Sequence, residues 1–134
     1  MDKVVVILRG LPGAGKSDFA KFIAGEKGID IICEADDYHY NDDGVYEFNP
    51  NNLKYAHNEC YNKFMNLIED NESLVIVSNT STTHKEFDKY YTYAINNGYR
   101  VVVTIVENYR EGKSIHDVPD EAMERMRQRF QINL

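Results

Sequence analysis

Two rhythms of hydrophobic and polar positions alternate along the chain. Residues 3–8 (KVVVIL) form a short, continuous β-branched run, the pattern of a strand covered on both faces. A helix follows over residues 17–24, closed near Gly25 and Gly28. Residues 30–33 (DIIC) read as a second strand. After a polar loop, Asn49 and Pro50 open a helix with proline in its first turn, and Leu53, Ala56, Cys60, Phe64 and Leu67/Ile68 recur at helical spacing. Residues 73–77 (SLVIV) are a third strand. Thr83 and Glu86 have capping-box spacing ahead of a helix with Phe87, Tyr90, Tyr91, Ala94 and Ile95 on one face, ended by Gly98. Residues 99–106 (YRVVVTIV) are a fourth strand. A polar segment, 107–118, leads to a last helix starting near Pro119, with Ala122, Met123, Met126 and Phe130 inward.

This alternation predicts an α/β fold: a mainly parallel sheet of four to five strands, helices on both faces and right-handed crossovers. No internal repeat or linker interrupts it, so residues 1–134 are expected to form one domain. The length of 134 residues suffices for one core, and 43% hydrophobic with 28% charged residues is globular rather than disordered. No apolar run approaches a membrane span, and residues 4–8 are too short for a signal-peptide core. The expectation is a cytoplasmic protein with no membrane partner. Cys33 and Cys60 make neither a disulfide framework nor a metal cluster, and packing is their expected role.

Charge narrows the partners. Of 22 acidic residues, 11 fall within 30–72 beside only Lys54 and Lys63, so that segment carries −9 and the remainder +2. The chain therefore lacks the broad basic footprint of a general nucleic-acid binder. A small basic groove near Arg110, Lys113, Arg125, Arg127 and Arg129 still admits nucleic acid as a transient substrate.

The chemistry concentrates at residues 10–17. The stretch GLPGAGKS matches G-x-x-x-x-G-K-[ST] between a predicted strand and a predicted helix. Its glycines let successive N–H groups line a concavity for phosphate oxygens, and the helix adds its positive end. Gly10, Pro12, Gly13, Ala14, Gly15, Lys16 and Ser17 are the expected nucleotide-binding set. Lys16 reaches the β- and γ-phosphates, and the Ser17 hydroxyl can coordinate Mg²⁺.

Asp36 and Asp37 follow the second strand, on the side of the sheet where open α/β folds bind ligands. Adjacent residues on extended backbone point opposite ways, so one of the two is expected to face the nucleotide. A carboxylate there can accept the proton of an attacking hydroxyl. Alternatively, one aspartate caps a helix and the other is solvated.

The stretches LRGLPGAGKS, ADDYHY, GVYEFNPNNLKYAHNEC, SNTSTT and HDVPDEAMERM, in that order, resemble the polynucleotide-kinase-like P-loop kinases over nearly the whole chain. The resemblance implies a P-loop kinase fold, ATP and Mg²⁺ as cofactors, and Asp36 as the general base. It sets Asn79 where members carry Asp or Asn beside the active site, and makes about 107–118 a lid with Arg110 and Lys113 acting on the transferring phosphoryl group. On the acceptor side it points to Asp37, His39 and Asn79. Three departures stand out. His39 replaces an arginine that contacts the acceptor's phosphate in the family's phage member, and is expected on the polar rim. Ser78 replaces an acid, leaving the metal to Ser17, Asp36 and the phosphates. Asp18 replaces the usual Thr and is expected to face solvent. Tyr38, Tyr40 and Tyr46 either stack an acceptor base or fill structure, Tyr90 and Tyr91 pack, and His57 and His84 are given no role.

The leading expectation is an ATP-dependent transfer to a hydroxyl on a nucleic acid or nucleoside. The alternatives are a nucleotide-binding regulatory ATPase module acting through a protein partner, or a small-molecule kinase. Neither the acceptor nor the oligomeric state is fixed by the residues.

Overall fold

In the computed structural model, which describes residues 2–107 and 120–132, four strands form one all-parallel sheet. They are β1 (Val4–Arg9), β2 (Ile32–Cys33), β3 (Leu74–Ser78) and β4 (Arg100–Ile105), in the order β2-β3-β1-β4. Register runs from Val4 opposite Leu74 to Leu8 opposite Ser78 on one side of β1, and from Val4 opposite Arg100 to Arg9 opposite Ile105 on the other. Cys33 pairs with Val77 at the β2 edge. The chain thus leaves β1 toward one edge and later crosses to the other, which puts the topological switch at the carboxyl end of β1.

The period-2 alternation of strand side chains divides the core in two. Val5, Ile7, Cys33, Val75 and Val77 pack with Ala56, Cys60, Phe64 and Ile68 of α2 (Leu53–Glu69) and Phe87, Tyr90 and Ala94 of α3 (His84–Asn96). Leu8, Ile32 and Ile76 pack on the opposite face with Ala20 and Ala24 of α1 (Lys16–Ala24). Helices therefore cover both faces, as the alternating pattern predicts. No helix among the described residues is long and apolar enough to cross a membrane.

Several details differ from the sequence expectation. The second strand is only two residues long, because a 3-10 segment, Gly25–Ile31, with Gly28 at φ 62°, occupies the chain up to it. On α3, Tyr91 and Ile95 face outward at 43% and 46% exposure, so the buried stripe is narrower than the apolar one. Thr83 is the N-cap residue but makes no side-chain cap. Instead, the Glu86 carboxylate accepts from the backbone N–H of Thr82 at 2.6 Å and from its hydroxyl at 2.9 Å. Arg129 joins the same corner, donating to Thr82 Oγ1 at 2.8 Å and lying 3.9 Å from the Glu86 carboxylate. In the final helix, α4 (Asp120–Arg129), Ala122, Met123 and Met126 are only half-buried, as is Phe130 just beyond it. Asn49 does open the α2 region as expected, its side chain accepting from Asn51 N–H at 3.0 Å.

Sequence reasoning overlooked Arg9, which is fully buried at the end of β1. Its guanidinium lies between the rings of Phe87 (4.7 Å) and Phe130 (4.9 Å). It donates to the carbonyls of Ser81, Thr82 and Gln131. One cation thereby ties β1 to the β3–α3 junction and to the segment after α4.

Candidate active site

The loop after β1 is gripped where it begins. Val106 N–H donates to Arg9 O at 2.7 Å, and Gly10 N–H donates to Thr80 O at 3.1 Å. A Cβ on Gly10 would lie 2.6 Å from the Val106 carbonyl oxygen, so this approach requires glycine. Ala14 N–H closes the loop on Leu11 O at 3.0 Å. Gly15, at φ 97°, turns the chain into α1 as its N-cap, and no side chain among the described residues caps that end. A left-handed residue leading directly into an uncapped helix can offer backbone N–H groups and the helix's positive end to an anion.

Lys16 folds back over this loop, its ammonium donating to Gly10 O at 2.8 Å and Leu11 O at 3.1 Å. Burial lowers its pKa to about 8, while the negative charges of Asp36 and then Glu34 act in the opposite direction. Ser17 lies at the outer end of the loop, and Asp18 is exposed as expected.

Asp36 and Asp37 sit on a 3-10 turn, Ala35–His39, rather than on extended backbone. A tight turn also rotates successive side chains. Asp36 is the carboxylate felt most strongly by Lys16. Asp37 is raised in pKa first by burial and also by Asp36, while Lys63 and then Lys21 act in the opposite direction. Asn79 anchors the turn that carries both acids. Its Oδ1 accepts from Ala35 N–H at 2.9 Å, and its Nδ2 faces the Cys60 thiol at 3.6 Å.

His39 is buried, at 4% exposure, and not on the rim. Aromatic rings surround it, Phe48 at 5.2 Å and Tyr46 at 6.0 Å, because the Tyr40–Tyr46 bridge folds the following loop over it. A cavity of about 160 Å³ opens beside it, lined by Tyr38, His39, Tyr40, Asn41, Glu47 and Asn52. Tyr38 packs on the core, whereas Tyr40 is exposed at the cavity. The polar segment with Arg110, Lys113 and His116 lies outside the described residues.

One further group joins the site, and a second on α2 feels its charge. Glu34, directly after β2, is raised in pKa first by burial and then by Asp37 and Asp36, with the hydroxyls of Ser17 and Ser78 favouring its charged form. The Ser78 Oγ is buried and closes no hydrogen bond. His57 on α2 is lowered in pKa by burial and then by Lys89, while Glu86 and Asp36 pull the other way. A polar residue directly after a predicted strand was the available signal for Glu34.

The profile of a family described as an AAA domain matches residues 5–132. Human NEDD4-binding protein 2 is 30% identical over 135 residues, an alignment taking in 96% of this chain. The chain spans 8% of the length of that relative. A solved structure of a Pnkp1/Rnl/Hen1 complex is similar in fold, with a TM-score of 0.57 over 99% of this chain and 41% of that one, at 19% identity. The phosphate-loop sequence, the β2-β3-β1-β4 sheet and the match over residues 5–132 agree, and the chain belongs to the AAA-domain family of P-loop kinase-like proteins.

Proposed function

We propose that residues 1–134 act as one P-loop kinase domain that moves the γ-phosphate of ATP to a hydroxyl on a nucleic acid or nucleoside. The observations that carry this reading are the glycine-rich loop between β1 and α1 with Lys16 folded over it, and the turn bearing Asp36 just beyond β2 at the same end of the sheet, from which its charge favours the ammonium. A phosphoryl group held at Lys16 and a hydroxyl held at Asp36 would occupy one shared space. The residues fit both cofactors: Gly15, in a left-handed conformation with open space around it, leads into the uncapped start of α1 where phosphate oxygens can approach, and the Ser17 hydroxyl acts on the Glu34 carboxylate that a cation would join. When bound, ATP brings the transferable group and Mg²⁺ spreads its charge.

In this reading the loop from Gly10 to Ser17, with Pro12, Gly13, Ala14 and Gly15, holds the triphosphate. Lys16 faces its outer phosphates and Asp36 takes the proton of the acceptor hydroxyl. Arg110 and Lys113 of the lid at 107–118 neutralise charge on the transferring group. The exposed Tyr40 at the neighbouring cavity offers a ring on which an acceptor base can stack.

The test is transfer from γ-labelled ATP with Mg²⁺ to 5′-hydroxyl DNA and RNA oligonucleotides, hydroxymethylated DNA and free nucleosides. Asp36→Asn is expected to keep ATP binding and to lose transfer by about two orders of magnitude or more. Lys16→Ala should weaken both. Full transfer by the Asp36 variant would remove it as the base. A second reading, a nucleotide-responsive module working through a protein partner, draws on Phe22 and Ile29, which are 82% and 65% exposed near α1. Label recovered only as inorganic phosphate, whatever acceptor is added, would favour it.

A further inference from the structure

At the carboxyl end of the sheet, strand alternation brings together three side chains from three separate elements. Ile32 and Ile76 face α1, whereas Cys33 and Val77 face α2 and α3. Continuing that alternation by one residue turns Glu34 and Ser78 toward α1. The pairing of Cys33 with Val77 makes them lateral neighbours. Ser17, in the first turn of α1, is close enough for its hydroxyl to favour the charged form of the Glu34 carboxylate. Ser78, only 5% exposed, presents an Oγ without a hydrogen-bond partner to the same point.

A carboxylate at this position conflicts with the loop's affinity for anions. Glu34 already stands near two other acids, Asp36 and Asp37, and a triphosphate in the loop would add to the repulsion. The conflict disappears if a cation lies between carboxylate and phosphate. Among the described residues, no group of three or more His, Cys, Asp or Glu could hold a metal unaided. That suits Mg²⁺, which is commonly held by one or two carboxylates together with substrate phosphates and water.

We propose that Glu34, reaching from the end of β2, is the carboxylate that holds the nucleotide's divalent cation together with Ser17, with Ser78 as the buried hydroxyl behind them. The role assigned from sequence to Asp36 as a possible metal partner passes to Glu34, leaving Asp36 to the acceptor. This rests on the reading of residues 10–17 as a nucleotide site.

The experiment is calorimetric titration of the full chain with ATP, once with Mg²⁺ and once with EDTA, alongside Mn²⁺ electron paramagnetic resonance in the presence of ATP. Wild type is expected to bind ATP more tightly with metal. In Glu34→Gln, Mn²⁺ affinity in the ATP complex should fall about 10- to 100-fold, the range for losing a metal-site partner. Metal-free ATP should bind that variant as well as or better than wild type, because a repelling charge is gone. Installing a carboxylate on the adjacent strand, as Glu34→Gln with Ser78→Asp, should recover the Mn²⁺ signal. A thermal melt of each variant checks folding, and the Asp36→Asn protein, which keeps Glu34, should retain the metal effect. Unchanged Mn²⁺ affinity in folded Glu34→Gln would overturn the assignment while leaving the nucleotide site intact. Absence of ATP binding by wild type under both conditions would overturn the assignment and the nucleotide site together.

Discussion

Lys16 is hydrogen-bonded to two carbonyls of its own loop, and that arrangement has a pH signature. Its pKa is about 8 against an ordinary 10.5, with burial as the main cause. A triphosphate would favour the charged ammonium and raise that value again, so binding above pH 8 must take up a proton. Affinity for ATP is therefore expected to be flat at neutral pH and to fall as pH rises through about 8. Titration in buffers of different ionisation enthalpy would reveal the uptake, and Lys16→Met should abolish both slope and uptake. Folding has the opposite sign. Between about 8 and 10.5 the unfolded chain carries the extra proton, so the contribution of Lys16 to stability rises with pH. A wild-type affinity that is constant from pH 7 to 10 would contradict this account. At Gly10 the constraint is steric: Gly10→Ala sets a methyl 2.6 Å from a backbone oxygen. It should cost about 1–3 kcal/mol in a denaturant titration.

At the scale of elements, the turn bearing Asp36 depends on a partner from another strand end. Asn79 accepts from Ala35 N–H at 2.9 Å, so β3 fixes where the turn after β2 begins. Asn79→Ala should cost about 1 kcal/mol of stability. If Asp36 is the base, the same change should lower kcat while leaving ATP affinity near wild type. Asn79→Asp keeps an acceptor for Ala35 and should retain more of the rate; equal losses of kcat in both variants would argue against a positioning role.

What the sequence made legible at this scale follows from range. The strand–loop–helix at 4–24 and the stripe Ala56, Cys60, Phe64, Ile68 are local patterns that the fold preserves. The two-residue β2 offers too few positions for a period, and the outward turn of Tyr91 and Ile95 depends on how α3 sits against β4 and α2. The shifted cap at Thr82 also takes a bond from Arg129, 47 residues away. Glu34 belongs with these cases, since its meaning comes from Ser17 and Ser78 rather than from its own neighbours in sequence.

For the molecule as a whole, Arg9 is the residue whose loss should be felt furthest. Hydrophobic periodicity reads an arginine at a strand end as the exit to solvent, yet this one is fully buried between two aromatic rings. Its carbonyl partners belong to residues 81, 82 and 131, so it joins segments that sequence separation keeps apart. A lysine cannot reproduce the planar fork or the stacking. Arg9→Met should therefore leave the buried Ser81 carbonyl without its donor, at about 1–3 kcal/mol, and also lose both ring contacts, and Arg9→Lys should recover only part of the loss. Hydrogen exchange separates this from a general weakening. Gln131 N–H donates to Thr82 O at 2.6 Å and His84 N–H to the Gln131 side chain at 2.6 Å. Those two amides should lose protection first in Arg9→Met, while Val75 and Val77 in the central sheet keep theirs until global unfolding. Uniform loss across both groups would mean that Arg9 supports the core as a whole; selective loss would show a single buried guanidinium holding the end of the chain against the junction that leads into α3.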